Sequence, residues 1–319
     1  MAVVDHVTNR EVQSNGRFER QTNRFVTPFG KGKDDLPVEK GRYRLLWAPV
    51  CPWANRSIIV RQLLGLEDAI SVGTLDPIRP DVPWSDWAFT LDEGEVDPVL
   101  GYHFLSEAYK KADPDYKGRF TVPAVVDLHT GGVVNNDYFN LTRYWETEWK
   151  EFHKSGAPDL YPEELRDEID SLNDILFHEI NNGVYKTGFA RSQEAYEKNF
   201  HLVFNRLDWL EERLSHSRYL FGDRITESDV RLYVTLARFD IAYFNGFLAN
   251  AKMLKDYPNL WGYARDLYQT PGFGDTTNFE AIKKHYHLCA VSTNPEKILP
   301  LGPDLSIWNT PHGRDRKYS

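Results

Sequence analysis

The sequence predicts two parts in tandem, an α/β half followed by an all-α half. Three observations carry this. Residues 43–75 alternate strand, helix and strand texture, residues 122–134 show a hairpin pattern, and strand texture disappears after Pro158 and Pro162, where only helical stripes remain. The chain has 319 residues, 41% of them hydrophobic and 14% aromatic, which is ample material for a buried core. At roughly 150 residues per domain the length suggests about two domains.

Residues 1–40 are polar, with Pro28 and Pro37, and read as an extended arm. Tyr43 to Val50 is a short apolar run ending at Pro52, a buried strand. From Trp53 to Leu66 the residues Ile58, Ile59, Leu63 and Leu64 recur at helical spacing, and Gly65 marks the stop. Ile70 to Leu75 supplies a second strand, completing a βαβ unit. Residues 76–102 hold Pro77, Pro80, Pro83 and Pro98 with Trp84 and Trp87, and read as a long functional or mobile loop. A helix follows at Phe104 to Ala112. Val122 to Leu128 and Gly132 to Val134 form two strands across His129-Thr130-Gly131-Gly132, and Asn136 to Trp149 is the next helix. The order β-α-β-α-β-β-α over 41–150 is thioredoxin-like.

The second half, 160–290, is read as helices throughout. Leu165 to Ile180 and Tyr196 to Leu214 carry clear apolar stripes. Thr226-Glu227-Ser228-Asp229 precedes the apolar run Val230 to Ile241, with Thr226 as N-cap and Asp229 closing a capping box. Leu260 to Gln269 and Phe279 to Cys289 complete the set. Residues 291–319, with Pro295, Pro300, Pro303 and Pro311, read as a tail laid over the surface.

Charge and cysteine usage exclude several function classes. Lys and Arg number 38 against 47 Asp and Glu, a net charge of −9 that repels nucleic acid and anionic membranes. Two cysteines, Cys51 and Cys289, build no disulfide framework and suit a reducing cytosol. Met1 to Arg10 lacks an apolar h-region, so a cytoplasmic location without a secretory signal or membrane span is expected. His285 and His287 are two apart and point in different directions on a helix, so no metal site is expected. No P-loop and no GxGxxG after a strand is present.

The sharpest local feature is Ala48-Pro49-Val50-Cys51-Pro52-Trp53-Ala54. Cys51 falls where a strand ends and a helix begins, with Pro52 at the first helical position. A thiol there meets the helix amides and dipole, which stabilise the thiolate. Alternatively, Cys51 is a small buried core residue. Position 54 is Ala, so no second thiol resolves a disulfide, and redox chemistry here is monothiol.

With these residues in this order, the chain resembles the glutathione S-transferases, more narrowly their Xi class, the glutathionyl-hydroquinone reductases, close to the omega class. Further stretches that carry the resemblance are Ser85-Asp86-Trp87-Ala88-Phe89, Thr121-Val122-Pro123-Ala124 and Tyr185-Lys186-Thr187-Gly188-Phe189-Ala190. Lys284-His285-Tyr286, Asn294-Pro295 and Leu301-Gly302-Pro303 follow late in the chain. The resemblance implies a thioredoxin-like N-terminal domain and an all-helical C-terminal transferase domain. Glutathione is implied as co-substrate at the carboxyl ends of the strands, with the aromatic group against the helical domain.

By the same resemblance, Cys51 is the nucleophile that takes glutathione from a glutathionyl-hydroquinone, and a second glutathione releases it. Val122-Pro123 corresponds to a cis-proline whose preceding residue pairs with the backbone of the tripeptide. Trp87 corresponds to a tryptophan closing over glutathione, and Arg119 is a candidate for one of its carboxylates or, alternatively, a solvated loop charge. Tyr185 and Tyr286 would present hydroxyls to the quinol oxygens; read without the resemblance, they are rims of the helical core. The family's Asn-Glu-Ser, which grips the γ-glutamyl end, reads Asn136-Asp137-Tyr138 in this chain. Asp137 still offers a carboxylate on a shorter stem, while Tyr138 lacks the small hydroxyl, which leaves a different low-molecular-weight thiol open. Cys289-Ala290 stands where Ser-His is usual, and Cys289 reads as a packed helix residue. A homodimer is implied. Two other readings stay open: an omega-like thioltransferase or dehydroascorbate reductase, and a non-catalytic thiol-binding protein with the transferase fold.

Overall fold

A computed structural model describes residues 11–80, 86–289 and 294–318. Met1 to Arg10, residues 81–85, residues 290–293 and Ser319 therefore lie outside the described residues, Pro83 and Trp84 among them. The chain forms two compact units, one of residues 21–158 and one of residues 11–20 with 159–318.

The first unit is built on β1 (Tyr43–Trp47), whose five residues are all buried. A strand covered on both faces needs a continuous apolar run rather than an alternating one. β1 is followed by α1 (Pro52–Leu64), which ends at Gly65 with φ 74°, a left-handed stop that favours glycine. α1 is the crossover that lets β2 (Ile70–Thr74) pair parallel to β1, Tyr43 beside Ile70. α2 (Leu105–Ala112) leads to β3 (Ala124–Asp127) and β4 (Val133–Asn135), both antiparallel, in the order β2-β1-β3-β4.

α3 (Leu141–Thr147) is shorter than the spacing of residues 136–149 predicts. The reason is local. Asn135 accepts from the Asp137 amide and Asp137 accepts from the Phe139 and Asn140 amides, so residues 135–140 form a side-chain-capped turn that leads into the helix. Residues 21–40 pack into this unit rather than trailing from it. Asn136 exchanges two hydrogen bonds with the Phe25 backbone, and Phe29 sits edge-on to both Tyr43 and Trp149. Residues 86–102 carry one short turn and are tied down through the buried Asp97.

The second unit is helical. α4 (Arg166–Ile175) runs into a π turn at Leu176–Asn181, followed by α5 (Gly183–Gly188) and α6 (Gln193–His216). α7 (Glu227–Arg238) passes into a second π turn, Phe239–Tyr243, and α8 (Phe244–Gly246). α9 (Pro258–Tyr268), α10 (Phe279–Leu288) and α11 (Arg314–Lys317) complete it. Every residue of α7 is buried, charged ones included. Arg231 pairs with Glu227 at 2.6 Å, and Asp229 accepts from the amide and hydroxyl of Thr226. Buried charges persist only with such partners. The capping box is therefore present, and Asp229 also takes the Tyr263 hydroxyl.

The late segment is more than a surface layer. Trp308 is buried against Trp261, Tyr268 and Phe279, and Arg314 donates to three carbonyls around the end of α6. No described helix is long and apolar enough to cross a membrane.

Candidate active site

Cys51 is the N-cap residue of α1, with Pro52 as the first helical residue and no acidic side chain in the first turn. Pro52 brings no amide, and the first turn places no carboxylate beside the sulfur, which lies at the positive end of the helix dipole. The Cys51 thiol donates to the Val122 carbonyl at 3.4 Å, and the Val122–Pro123 peptide is cis. The thiol, Val122 and Pro123 thus come together at the ends of β1 and β3. Cys51 is half-buried and Val122 is buried.

The segment after β4 is organised differently from a simple ligand grip. Asn136 is 1% exposed; its side chain accepts from the Phe25 amide and donates to the Tyr109 and Thr121 hydroxyl oxygens. Its oxygen holds the arm at Phe25, and its nitrogen ties Tyr109 of α2 to Thr121 before β3. Asp137 accepts from the Phe139 and Asn140 amides and from Asn140 Nδ2. Tyr138 lays its ring 4.9 Å from that of Trp53, two residues beyond Cys51. Arg56, one turn further along α1, covers Trp53 at 4.7 Å.

Trp87 is buried, with the Arg79 guanidinium over its ring at 4.1 Å, and its amide donates to Asp86. Burial pushes the Asp86 carboxyl above its ordinary range, against the hydrogen bonds that Ser106 and Trp87 offer it. Arg119 is half-buried, and its backbone exchanges hydrogen bonds with the Gln21 side chain.

In the helical unit, Tyr185 of α5 and Tyr286 of α10 bring their hydroxyls within 2.6 Å. Sequence reasoning named both but missed Tyr243, whose hydroxyl lies 3.4 Å from that of Tyr185 and 3.5 Å from that of Tyr286. It also missed Arg20, which covers the Tyr185 ring at 4.9 Å and donates twice to Asn182. No spacing links residues 58 and 101 positions apart, so nothing short of the fold could have joined them. Burial raises the Tyr243 and Tyr286 phenols well above their ordinary values. Among groups that could hold a metal, Asp266, His312 and Asp315 converge, but Arg218 already donates to both carboxylates and supplies the positive charge there.

Residues 50–148 match the family model for the glutathione S-transferase N-terminal domain, and residues 193–266 match that for the C-terminal domain. The chain is 39% identical to the glutathionyl-hydroquinone reductase YqjG of Escherichia coli (strain K12), over 95% of this chain and 94% of the relative. A glutathione transferase from Gordonia bronchialis is 53% identical with a TM-score of 0.86, covering 89% of this chain and 88% of that one. The Xi glutathione S-transferase of Phanerochaete chrysosporium is 40% identical with a TM-score of 0.87, over 92% and 95% of the two chains. The chain belongs to the glutathione S-transferase family, in its Xi class.

Proposed function

We propose that this chain is a glutathionyl-hydroquinone reductase that works through Cys51 alone. The Cys51 thiolate attacks the sulfur of the glutathione thioether and forms a mixed disulfide with it. The carbon–sulfur bond breaks, its electron pair passes to the ring, and the ring takes one proton to become the hydroquinone. A second glutathione then attacks the mixed disulfide, returns Cys51 as thiolate and leaves as glutathione disulfide. The carbon is reduced by two electrons and two sulfurs are oxidised, so the balance closes.

The observation that carries this reading is the placement of the Cys51 thiol at the start of α1, against the Val122 carbonyl. Backbone groups of Val122 are the proposed contact for the cysteinyl part of glutathione, and Asp137, Tyr138, Trp87 and Arg119 are proposed around the rest of it. The hydroxyls of Tyr185 and Tyr286 are given the quinol oxygens, where negative charge gathers as the bond breaks. A homodimer in a reducing cytosol completes the proposal, and light scattering at twice the mass of one chain would support it.

The test is incubation with glutathionyl-menadiol and excess glutathione, following menadiol release while mass spectrometry watches Cys51. Release with a transient glutathione adduct on Cys51 supports the reading, and Cys51→Ala should abolish it. Full activity in that variant would sink the mechanism.

A further inference from the structure

A cavity of about 230 Å³ lies in the helical unit, between the end of α7 and the late segment. None of the residues assigned above to the thiol or the quinol lines it. Its floor is buried and is made by Ile241 of the second π turn and by Trp308. Trp261 of α9 and Ile307 are half-buried in its walls, while Lys255 and Asp304 stand exposed at its rim. A floor closed by apolar side chains under a charged rim is the form of a small-molecule pocket, with the way in at the rim. An apolar cavity of about 150 Å³ takes one benzene ring. The larger volume here holds a single ring with a short arm.

The charges around it have one sign in excess. Asp240 lines the cavity from a half-buried position, and its carboxylate accepts from the Leu254 amide at 2.6 Å at the start of the turn Leu254–Asp256. Burial raises its pKa above the ordinary carboxylate range, against the amides of Leu254 and Lys255. An anion set among apolar walls favours a cation brought beside it. Lys255 offers the one positive charge on the lining, and its ammonium already lies 3.9 Å from Asp256. Asp304 adds a second carboxylate, held by the Ser306 amide and hydroxyl. The aromatic walls act in the same sense. Trp261 and Trp308 meet edge to face at 4.9 Å, and the Arg265 guanidinium covers Trp261 at 5.0 Å, so one indole here already carries a cation.

We propose that this cavity is a binding site for a small organic ammonium ion bearing one aromatic ring, with its charge at Asp240 and its ring among Ile241, Trp261 and Trp308. Apolar walls select the ring and the carboxylate selects the charge, so neither an anion nor a purely polar cation satisfies both. The occupant bridges the π turn after α7 and the late segment, two stretches more than 60 residues apart. Binding therefore stabilises the folded chain by mass action. No step of this uses Cys51, so the site stands or falls apart from the reductase reading.

Three probes of one shape and different charge test it on the full chain: phenethylammonium, 2-phenylethanol and 3-phenylpropionate. Calorimetry gives their Kd values, and thermal unfolding shows whether each raises Tm. The ammonium should bind about tenfold more tightly than the alcohol, and the carboxylate should not bind. Asp240→Asn, which keeps an acceptor for the Leu254 amide, should bring the ammonium down to the affinity of the alcohol. Equal affinities in wild type, a preference for the carboxylate, or no binding of any probe at millimolar concentration would overturn the proposal. Should Asp240→Asn fold poorly, Ile307→Trp is the second variant. It fills the cavity from the wall and should abolish binding of the ammonium, and undiminished binding there would place the ligand elsewhere. Cys51→Ala should bind as wild type does, whatever the outcome of the menadiol assay, and loss of binding in that variant would also overturn the assignment.

Discussion

The Arg44 guanidinium donates twice to the Asp97 carboxylate, at 2.7 and 3.0 Å, with both side chains buried. Arg44 lies on β1, the strand that delivers Cys51, and Asp97 also accepts from the Val99 and Leu100 amides. The pair therefore fixes the irregular segment after β2 to the centre of the sheet. Asp97→Ala leaves a buried charge without its partner and should cost about 3–5 kcal/mol in urea unfolding. Replacing both residues together, Arg44→Met with Asp97→Leu, should recover most of that loss.

Tyr138 lies against Trp53, and the Asp137 carboxylate accepts from its own turn. If this end of the site meets the γ-glutamyl group, Asp137→Glu with Tyr138→Ser should lower the KM for glutathione several-fold while leaving kcat nearly unchanged. Steady-state kinetics with varied glutathione checks this. An unchanged KM would mean that the two positions do not contact the thiol.

Asp127 at the end of β3 pairs with Arg42, which donates to it through Nε and Nη2. Burial works against the carboxylate, but the Arg42 fork outweighs it and holds the Asp127 pKa below the ordinary range. The stabilisation is therefore present above the unfolded carboxylate pKa of about 4 and is lost as pH falls through the lower folded value. Asp127→Asn should cost about 2 kcal/mol at pH 7. The gap from wild type should close in acid, as unfolding curves collected between neutral pH and pH ~3 would reveal.

Trp308 closes a cluster with Trp261 of α9 and Phe279 of α10. Trp308→Ala removes a large buried ring and should destabilise the helical unit by about 3–5 kcal/mol. Thermal unfolding checks it, and a shift no larger than that of an exposed substitution would contradict the packing described here.

Much of this fold could be read before any coordinates. The run Tyr43 to Val50 announced a buried strand because a strand covered on both faces has no polar alternation to hide it. Gly65 and Thr226-Asp229 marked a helix end and a helix start through backbone chemistry that acts within four residues. What failed to show was set by distance along the chain. Asn135 and Asp137 hold residues 135–140 in a capped turn ahead of α3, a stretch that a periodicity argument assigns to the helix. Trp308 looked like part of a proline-rich tail because its partners lie on helices far upstream. The placement of Cys51 at a helix start was legible in four residues, Cys51 to Ala54. Tyr243 was invisible as a partner of Tyr185 and Tyr286, since a cluster of hydroxyls has no period.

The Arg314 side chain has a bearing on how this chain is made. It donates to the carbonyls of Leu214, Ser217 and Arg218, closing the end of α6 from 96 to 100 residues downstream. Those carbonyls have no helical partner of their own and stay with water until the later segment arrives. On a ribosome, α6 emerges and waits while a hundred further residues are translated, its last turn open throughout. The end of α6 is therefore completed only when the late segment is in place, and a synthesis that stalls before Arg314 leaves that helix end without these three donors.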